Sequence, residues 1–364
     1  MVNSTVNENT FTATSPGDVL KKMLKAKDLS QTDFAKNVGI SKSHVSDIIH
    51  GRISISKQIA EKIGNLLGPN PEFWQNLQMR YNYDLQRIDP SAAESLKTND
   101  SLSSLDNVFD INTIIKRLNL SKMNPKVILE ELRTVFKNIS STDNVETELA
   151  GLFRKSQKTG LDERMAKTWI VIAKYVNNNV VVTGKFDRNC KESVCQQLCQ
   201  VFHENKNVLE RVSNILSSFG IKFSVVEKVD RASVDGFSFM KNDTPSIVIT
   251  KRFNRIDNLA FNVMHEIGHI FLHLSDNETS GLNIPGDVGF DKKEEEANSF
   301  ARNALIPDRI WKNAPSVPMN VFIIQKTYTK WAQDNNFNKW IVLGRISQET
   351  GMYKFKDDNM RIIG

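Results

Sequence analysis

The chain has 364 residues, of which 40% are hydrophobic and 25% are charged, a composition typical of globular proteins. That length exceeds what one hydrophobic core usually serves, so we expect two or three domains. No apolar stretch reaches the roughly 18 residues of a membrane span, and the N-terminus lacks a secretion signal, so we expect a cytoplasmic protein with no membrane partner. The net charge of +6 permits nucleic-acid binding without requiring it.

Residues 15–85 contain short amphipathic segments separated by glycine and proline, which predicts a domain of short helices. Ser30 is placed to cap one helix, Gly39 to form a tight turn, and a second helix follows, which is the layout of a helix-turn-helix. Gln31, at the start of the first helix, is placed to contact a phosphate. The outer face of the second helix would meet base edges and phosphates with Ser41, Lys42, Ser43, Ser46 and Asp47.

An ordinary helical hairpin would share this glycine turn, but the flanking residues favour the DNA-binding interpretation. Residues 15–24 and 53–77 resemble the XRE/HigA class of repressors and antitoxins. The resemblance implies a lambda-repressor-like all-α fold and DNA as a partner, with the chain's own promoter as the expected operator. Residues 1–90 hold only eleven basic against nine acidic side chains, so a homodimer on a palindrome would supply the affinity that a monomer lacks.

The next part of the chain is predicted to be a linker followed by helices. Residues 88–110 are polar and Ser-rich, which is typical of a linker. Residues 111–208 show apolar positions at helical spacing, and we expect a helical middle region that carries no chemistry of its own.

Three cysteines lie within that middle region, an odd number that does not suggest a disulfide framework and fits a reducing compartment. Cys195, Cys199 and His203 recur at every fourth residue and share one helix face. A metal site on that face is the alternative to simple packing, which we favour because structural zinc sites usually join cysteine pairs from separate turns.

After Gly220 the pattern changes to short strands at residues 221–226, 236–240 and 246–250, with a turn at 242–245. An apolar helix follows and contains His265-Glu266-Ile267-Gly268-His269. Histidines four residues apart project from one helical face and can bind one Zn²⁺, while the adjacent glutamate serves as general base. This sequence is the HExxH signature of a zinc hydrolase.

Catalytic zinc normally takes three protein ligands and a water molecule, so a third ligand is needed. His273 lies a further turn along the same helix, about 6 Å beyond His269, which is too far to complete a tetrahedron. We therefore expect His273 to support the site through hydrogen bonding or packing.

The better source of the third ligand is the acidic helix of residues 292–307. Glu296 shares a face with Phe300 and Ala304, so we predict Glu296 as the third ligand. Glu294 remains the alternative, although carboxylates at a helix start are usually solvated and favour the positive end of the helix dipole.

From about residue 209 to the C-terminus, the chain resembles the ImmA/IrrE family of zinc metallopeptidases. The matching segments are residues 246–250, 261–273, 296–307 and 340–346. The resemblance implies a gluzincin-like fold, Zn²⁺ as cofactor and cleavage of repressor-type transcription factors. With zinc held by His265, His269 and Glu296, Glu266 would take the proton of the attacking water.

These observations predict an α+β, multidomain protein with a DNA-binding head at 1–87, a linker at 88–110, a helical middle region at 111–208 and a metallopeptidase domain at 209–364. The predicted function is transcriptional regulation combined with zinc-dependent endopeptidase activity, in which cleavage of a repressor, an antitoxin or the chain itself relieves repression. The alternative is a HigA-like antitoxin or repressor whose peptidase-fold domain is a non-catalytic sensing or partner-binding module. Both readings imply DNA and a protein of the repressor, toxin or antitoxin type as partners.

Overall fold

A computed structural model gives the fold as α+β, as predicted, with two compact units at Met1–Arg133 and Thr134–Gly364. None of the helices in the ranges it describes combines the length and apolar character needed to cross a bilayer. Those described ranges are residues 13–139, 162–232, 234–251, 254–274, 288–356, 358 and 361–363.

The first unit is helical. Side-chain caps mark where several of its helices begin, because Ser30, Ser41, Ser56 and Asn70 each accept the backbone N–H three residues ahead. Its helices are α1 Pro16–Ala26, α2 Gln31–Val38, α3 Lys42–Ile49, α4 Lys57–Leu67, α5 Pro71–Ile88, α6 Pro90–Asp106, α7 Ile111–Arg117 and α8 Pro125–Ile139, the last of which crosses into the second unit.

The predicted helix-turn-helix consists of α2 and α3. Gly39 joins them with φ at +67°, a conformation that glycine adopts without steric cost. Phe34 on α2 and Val45 on α3 are fully buried, and they form one core with α1, α4 and Trp74 of α5. The two helices are thereby fixed in one relative orientation, with the outer side of α3 exposed.

The prediction of a linker at residues 88–110 is wrong, because most of this stretch forms α6. Asp89 caps the helix, Pro90 occupies its first turn, and buried leucine and alanine side chains anchor it. Asn99 donates to the carbonyl of Arg52 at 3.1 Å, and Asp100 accepts the Ser54 N–H at 2.7 Å. These polar side chains therefore hold α6 on the loop that follows α3.

The second unit surrounds a small sheet with helices. In chain order its elements are α9 Glu163–Asn178, a 3-10 turn Arg188–Cys190, α10 Lys191–Glu204, α11 Val208–Ser218, β1 Lys222–Glu227, β2 Gly236–Lys241, β3 Thr244–Lys251, α12 Ile256–Leu272, α13 Val288–Leu305, α14 Asp308–Trp311, α15 Val321–Asp334 and α16 Lys339–Thr350.

The sheet has the order β1-β3-β2, with β1 parallel and β2 antiparallel to β3. The hairpin between β2 and β3 turns at Asn242 and Asp243, which both have positive φ, as a two-residue type I′ turn requires. The three predicted strands and their turn are confirmed. β2 is an edge strand, and α12 packs against β2 and β3.

The structure divides the predicted middle region of residues 111–208 between the two units. Helix α10 packs directly against α12 and α13, and its Val194, Leu198 and Phe202 belong to the same core as the HExxH helix. Within the described residues, α10 therefore completes the core around α12.

His203 on α10 ties together two helices of the second unit. Its Nε2 donates to the carbonyl of Leu305 at 3.1 Å, and its Nδ1 accepts the Asn338 N–H at 3.1 Å. Burial lowers the pKa of His203 to about 4. Cys199, one turn earlier, donates to the carbonyl of Ala304, and burial raises its thiol pKa to about 12. The interpretation of this face as packing rather than metal binding agrees with these contacts.

His203 is expected to make stability depend on pH. Its folded pKa of about 4 lies below the ordinary histidine pKa of about 6.5. Its contribution to the free energy of unfolding is therefore complete above about pH 6.5 and is lost as pH falls towards 4. Between pH 7.5 and pH 5 this amounts to about 2 kcal/mol. Urea unfolding with chelator present should show that loss in the wild type, and His203→Gln should show less of it. Equal pH dependence in both proteins would contradict the assignment.

Candidate metal centre and DNA-binding surface

Two helices position the candidate metal centre. Helix α12 carries His265 and His269 one turn apart, and α13 crosses it closely because Gly268 has no side chain. A Cβ at Gly268 would lie 3.2 Å from the Cα of Ala297 on α13. This close approach brings a carboxylate from the start of α13 to both imidazoles.

That carboxylate belongs to Glu294. Its Oε2 lies 3.4 Å from His265 Nε2, its Oε1 lies 3.2 Å from His269 Nε2, and the two Nε2 atoms are 2.9 Å apart. Among the described residues, these three form the one group of histidine, cysteine and acidic side chains with the spacing of a metal site. Tetrahedral zinc at about 2.0–2.1 Å from each ligand would need separations of roughly 3.3 Å, so the three groups fit it.

The prediction of Glu296 as the third member of this cluster is contradicted. Glu296 Oε2 lies 3.0 Å from Nε2 of His273, and its side chain is 46% exposed. The physical reason is the face that α13 buries. Ala297 and Ala301 are fully buried, whereas Phe300 is only partly so, and Glu294 is three residues before Ala297 on that buried face.

Hydrogen bonds at the outer nitrogens orient both imidazoles. His265 Nδ1 lies 3.0 Å from Oδ1 of Asn298, an acceptor, so Nδ1 carries the proton and Nε2 keeps its lone pair. Glu296 accepts from His273 Nε2, which leaves His273 Nδ1 to accept from His269 Nδ1 at 2.9 Å. The Nε2 of His269 therefore also keeps its lone pair, which faces His265 Nε2 and Glu294 Oε1. His273 thus supports the site by hydrogen bonding, as expected.

The side chains of this cluster shift the pKa values of Glu294 and His265. Burial on its own would raise the pKa of Glu294, but hydrogen bonds from His265 and His269 outweigh it and hold the pKa well below its usual range. Burial on its own would lower the pKa of His265, but its hydrogen bond to Glu294 and the charges of Glu266 and Glu294 hold it above the usual value. Glu294 is therefore ionised, as a metal ligand must be.

Glu266, the predicted general base, is buried beside His265 at 6% exposure. Its carboxylate lies against the start of the edge strand β2, where a Cβ at Gly236 would be 2.6 Å from Glu266 Oε1. Within the described parts of the chain, no side chain or backbone group hydrogen-bonds this carboxylate. Its lone pairs are accordingly available to a water molecule.

The predicted DNA-contacting residues lie on the exposed side of α3 or beside it. Lys42 and Ser43 are exposed, and Gln31 is the half-buried first residue of α2. Ser41 caps α3 by accepting the His44 N–H at 3.1 Å, and its hydroxyl is 2.9 Å from that of Ser43. Ser41 thus fixes the start of the helix as well as facing outward.

Ser46 and Asp47 are joined to Arg52, a residue that the sequence did not single out. The guanidinium lies 2.6 Å from Asp47 Oδ1 and 3.4 Å from the Ser46 hydroxyl. The carboxylate on α3 is therefore paired with a neighbouring cation, and both groups are solvent-exposed. The Gly-Arg pair directly after α3 is the sequence signal that could have suggested this basic contact.

Comparison with known proteins agrees with both halves of this structure. A family model described as helix-turn-helix matches residues 20–74, and a peptidase-family model described as IrrE N-terminal-like domain matches residues 217–320. The chain joins an XRE-like helix-turn-helix domain to an IrrE-like domain. The IrrE-like match runs from the end of α11 to the residue before α15, and it includes His265, His269 and Glu294.

Individual relatives cover about a quarter of the chain. Virulence-associated protein A′ of Dichelobacter nodosus is 32% identical over 93 residues, which are 25% of this chain and 79% of that protein. The uncharacterized HTH-type transcriptional regulator YddM of Escherichia coli is 29% identical over 85 residues, 23% of this chain and 81% of that protein. A HigA-family addiction module antidote protein from Coxiella burnetii is 27% identical, with a TM-score of 0.21, covering 23% of this chain and 94% of that chain.

In the IrrE-like domain, sequence reasoning missed Asn298 and Gly236 as supports of the site. Asn298 follows Glu294 by one helical turn, so an amide at that spacing could have been expected to face the same histidines. Gly236 stands at the start of a strand, where a missing side chain often marks the close approach of another group. In both cases the contact depends on a partner distant in sequence.

Proposed function

We propose that the chain is a DNA-binding transcription regulator whose IrrE-like domain is a zinc-dependent endopeptidase. The observation that supports this most directly is the convergence of His265, His269 and Glu294, with Glu266 buried beside them. The substrate we propose is a repressor, an antitoxin or the chain itself, because the same polypeptide carries a helix-turn-helix domain of the repressor type.

In this proposal His265, His269 and Glu294 hold the ion and Glu266 moves the proton. Zinc bound there would supply the Lewis acidity that makes water nucleophilic and a peptide carbonyl electrophilic near neutral pH. Glu266 would accept the proton of the attacking water and pass it to the leaving amine. Asn298 and the His273–Glu296 pair would keep both imidazoles in the tautomer that presents Nε2.

Zinc-dependent cleavage is the test of the peptidase. The zinc-loaded full chain should be incubated alone and with the product of the adjacent gene, and the products identified by intact-mass spectrometry. We expect a discrete cut in one of the two chains that stops when zinc is removed by chelation and resumes when zinc is restored. Intact chains under all three conditions would favour a non-catalytic sensing or partner-binding module.

For the helix-turn-helix domain we propose contacts to an operator by Gln31, Ser41, Lys42, Ser43, Ser46 and Asp47, with Arg52 beside them. A monomer carries few positive charges on this surface, so binding as a homodimer to a palindrome is part of the proposal.

Replacing Lys42 and Ser43 together by alanine is expected to weaken binding to the chain's own promoter and to reduce the slope of log K against log salt by about one. The reason is the loss of one phosphate-pairing cation and one hydroxyl from the exposed face of α3. Fluorescence anisotropy at several salt concentrations would measure both. Lys116→Ala on α7 removes another exposed lysine and serves as the matched control. Unchanged affinity and slope in the double variant would rule out this face.

A further inference from the structure

A cavity of about 340 Å³ lies next to the metal centre, between α12, α13 and α16. Most of its accessible lining area is apolar. The residues that matter for its chemistry are Phe261, Asn262, Arg302, Leu305, Gly344 and Tyr353.

The cavity begins one helical turn from the candidate ligands. Phe261 precedes His265 by four residues, and their ring centroids are 6.1 Å apart. Arg302 lies four residues after Asn298, and Asn298 contacts His265. Four residues of helix rise about 6 Å, and two residues of an extended peptide span about 7 Å. A peptide whose scissile bond lies at the metal centre can therefore place a side chain from one or two residues away in this cavity.

The cavity has an excess of positive charge, since three guanidiniums and two carboxylates line it. Arg345 is bound to Asp308, Glu349 and the carbonyl of Ile306. Arg255 is paired with Asp257, the carboxylate that Arg361 also contacts. Asp235 is the second carboxylate of the lining. Of the three guanidiniums, Arg302 is the one that pairs with no carboxylate among the described residues.

Arg302 makes one hydrogen bond within the described structure, to the hydroxyl of Ser299 at 3.0 Å. This partner is neutral, and Arg302 is half-buried and lines the cavity together with Leu305 and Phe261. A half-buried guanidinium of this kind binds a carboxylate more strongly than an exposed one, because less water competes.

We propose that this cavity is a specificity pocket for an acidic residue of the substrate. Its aliphatic stem packs against Phe261 and Leu305, and its carboxylate pairs with Arg302. The inference rests on the proposed peptidase function, and it identifies the substrate as a peptide segment with Glu or Asp within two residues of the cleaved bond.

The test is the cleavage specificity of the zinc-loaded full chain on a random peptide library, read by mass spectrometry. We expect Glu or Asp to be enriched at one position within two residues of the cut. Arg302→Gln should reduce kcat/KM for those peptides roughly ten- to hundred-fold. Arg302→Glu should shift the preference to Lys or Arg. Arg309→Gln, which removes an exposed arginine on α14, should leave the profile unchanged. A wild-type profile without acidic preference, or one that Arg302→Gln retains, would overturn the inference.

A binding measurement separates this inference from the peptidase proposal. Two fluorescein-labelled peptide pools, with either Glu or Gln at a fixed central position, are titrated into the zinc-loaded Glu266→Gln chain. Tighter binding of the Glu pool that disappears in the Arg302→Gln, Glu266→Gln double variant supports the pocket even if the wild type cleaves nothing. Equal binding of both pools rejects the acidic pocket whether or not cleavage is observed.

Discussion

Replacing Glu294 by alanine is expected to abolish high-affinity zinc binding. The loss should exceed the roughly 10–100-fold change in affinity that removal of an outer hydrogen-bond partner causes. Glu294 supplies the carboxylate at 3.2 and 3.4 Å from the two histidine Nε2 atoms, and two imidazoles alone leave a catalytic zinc one protein ligand short. Competition with a chromophoric chelator at pH 7.5, on the purified full chain, would measure the affinity directly.

Two neighbouring glutamates provide the controls. Glu296→Ala removes the acceptor of His273 Nε2, so it should cost no more than the roughly 10–100-fold of an outer partner. Glu295→Ala removes an exposed carboxylate from the same turn and should leave zinc affinity unchanged. If Glu296→Ala lowered affinity more than Glu294→Ala, α13 would present the face that the sequence suggested, and the observed assignment of the third ligand would be wrong.

The helix-turn-helix, the sheet and the HExxH helix could be predicted because their signals are local. Ser30 marks the beginning of α2 and Gly39 marks its end and the turn before α3, and both act on backbone groups within a few residues. Likewise, Asn242 and Asp243 determine the β2–β3 turn, and with it the register of the hairpin. The spacing of His265 and His269 follows from helix geometry alone.

Helix periodicity alone does not identify the third ligand, because α13 has two faces that could be the buried one. One contains Phe300 and Ala304, and the other contains Ala297 and Ala301. The tertiary contact decides between them, since α13 passes so close to Gly268 that a Cβ there would lie 3.2 Å from the Cα of Ala297. Ala297 and Ala301 are fully buried at this crossing, and the larger Phe300 packs beside it partly exposed. Glu294 lies on that face.

The linker prediction failed for a similar reason. Residues 88–110 are polar in composition, which is typical of linkers. Two of these polar residues, Asn99 and Asp100, nevertheless hydrogen-bond backbone groups of the loop after α3. A polar residue that bonds a distant loop looks the same in sequence as one that faces solvent. Ser54 N–H and Arg52 C=O lie outside any helix and therefore need other hydrogen-bond partners. The two side chains of α6 supply them, which makes the packing of α6 on this loop favourable.

Glu266→Gln is expected to lower the rate of peptide cleavage by about 10²–10⁴-fold while zinc content stays unchanged. Glutamine keeps the size of the buried side chain but cannot take a proton from water. Because Glu266 is not in the ligand cluster, its replacement should separate chemistry from metal binding. The measurement is kcat on the substrate found with the wild type, together with zinc content by atomic emission.

Two further variants make that result specific. Glu295→Gln makes the same chemical change on an exposed side chain and should cleave at the wild-type rate. Gly236→Ala keeps the carboxylate but puts a methyl group 2.6 Å from the present position of Glu266 Oε1, so Glu266 must move and the rate should fall with zinc retained. A Glu266→Gln chain that cleaves at the wild-type rate would mean that another group takes the proton. The close contact with Gly236 would then serve only to pack α12 against β2.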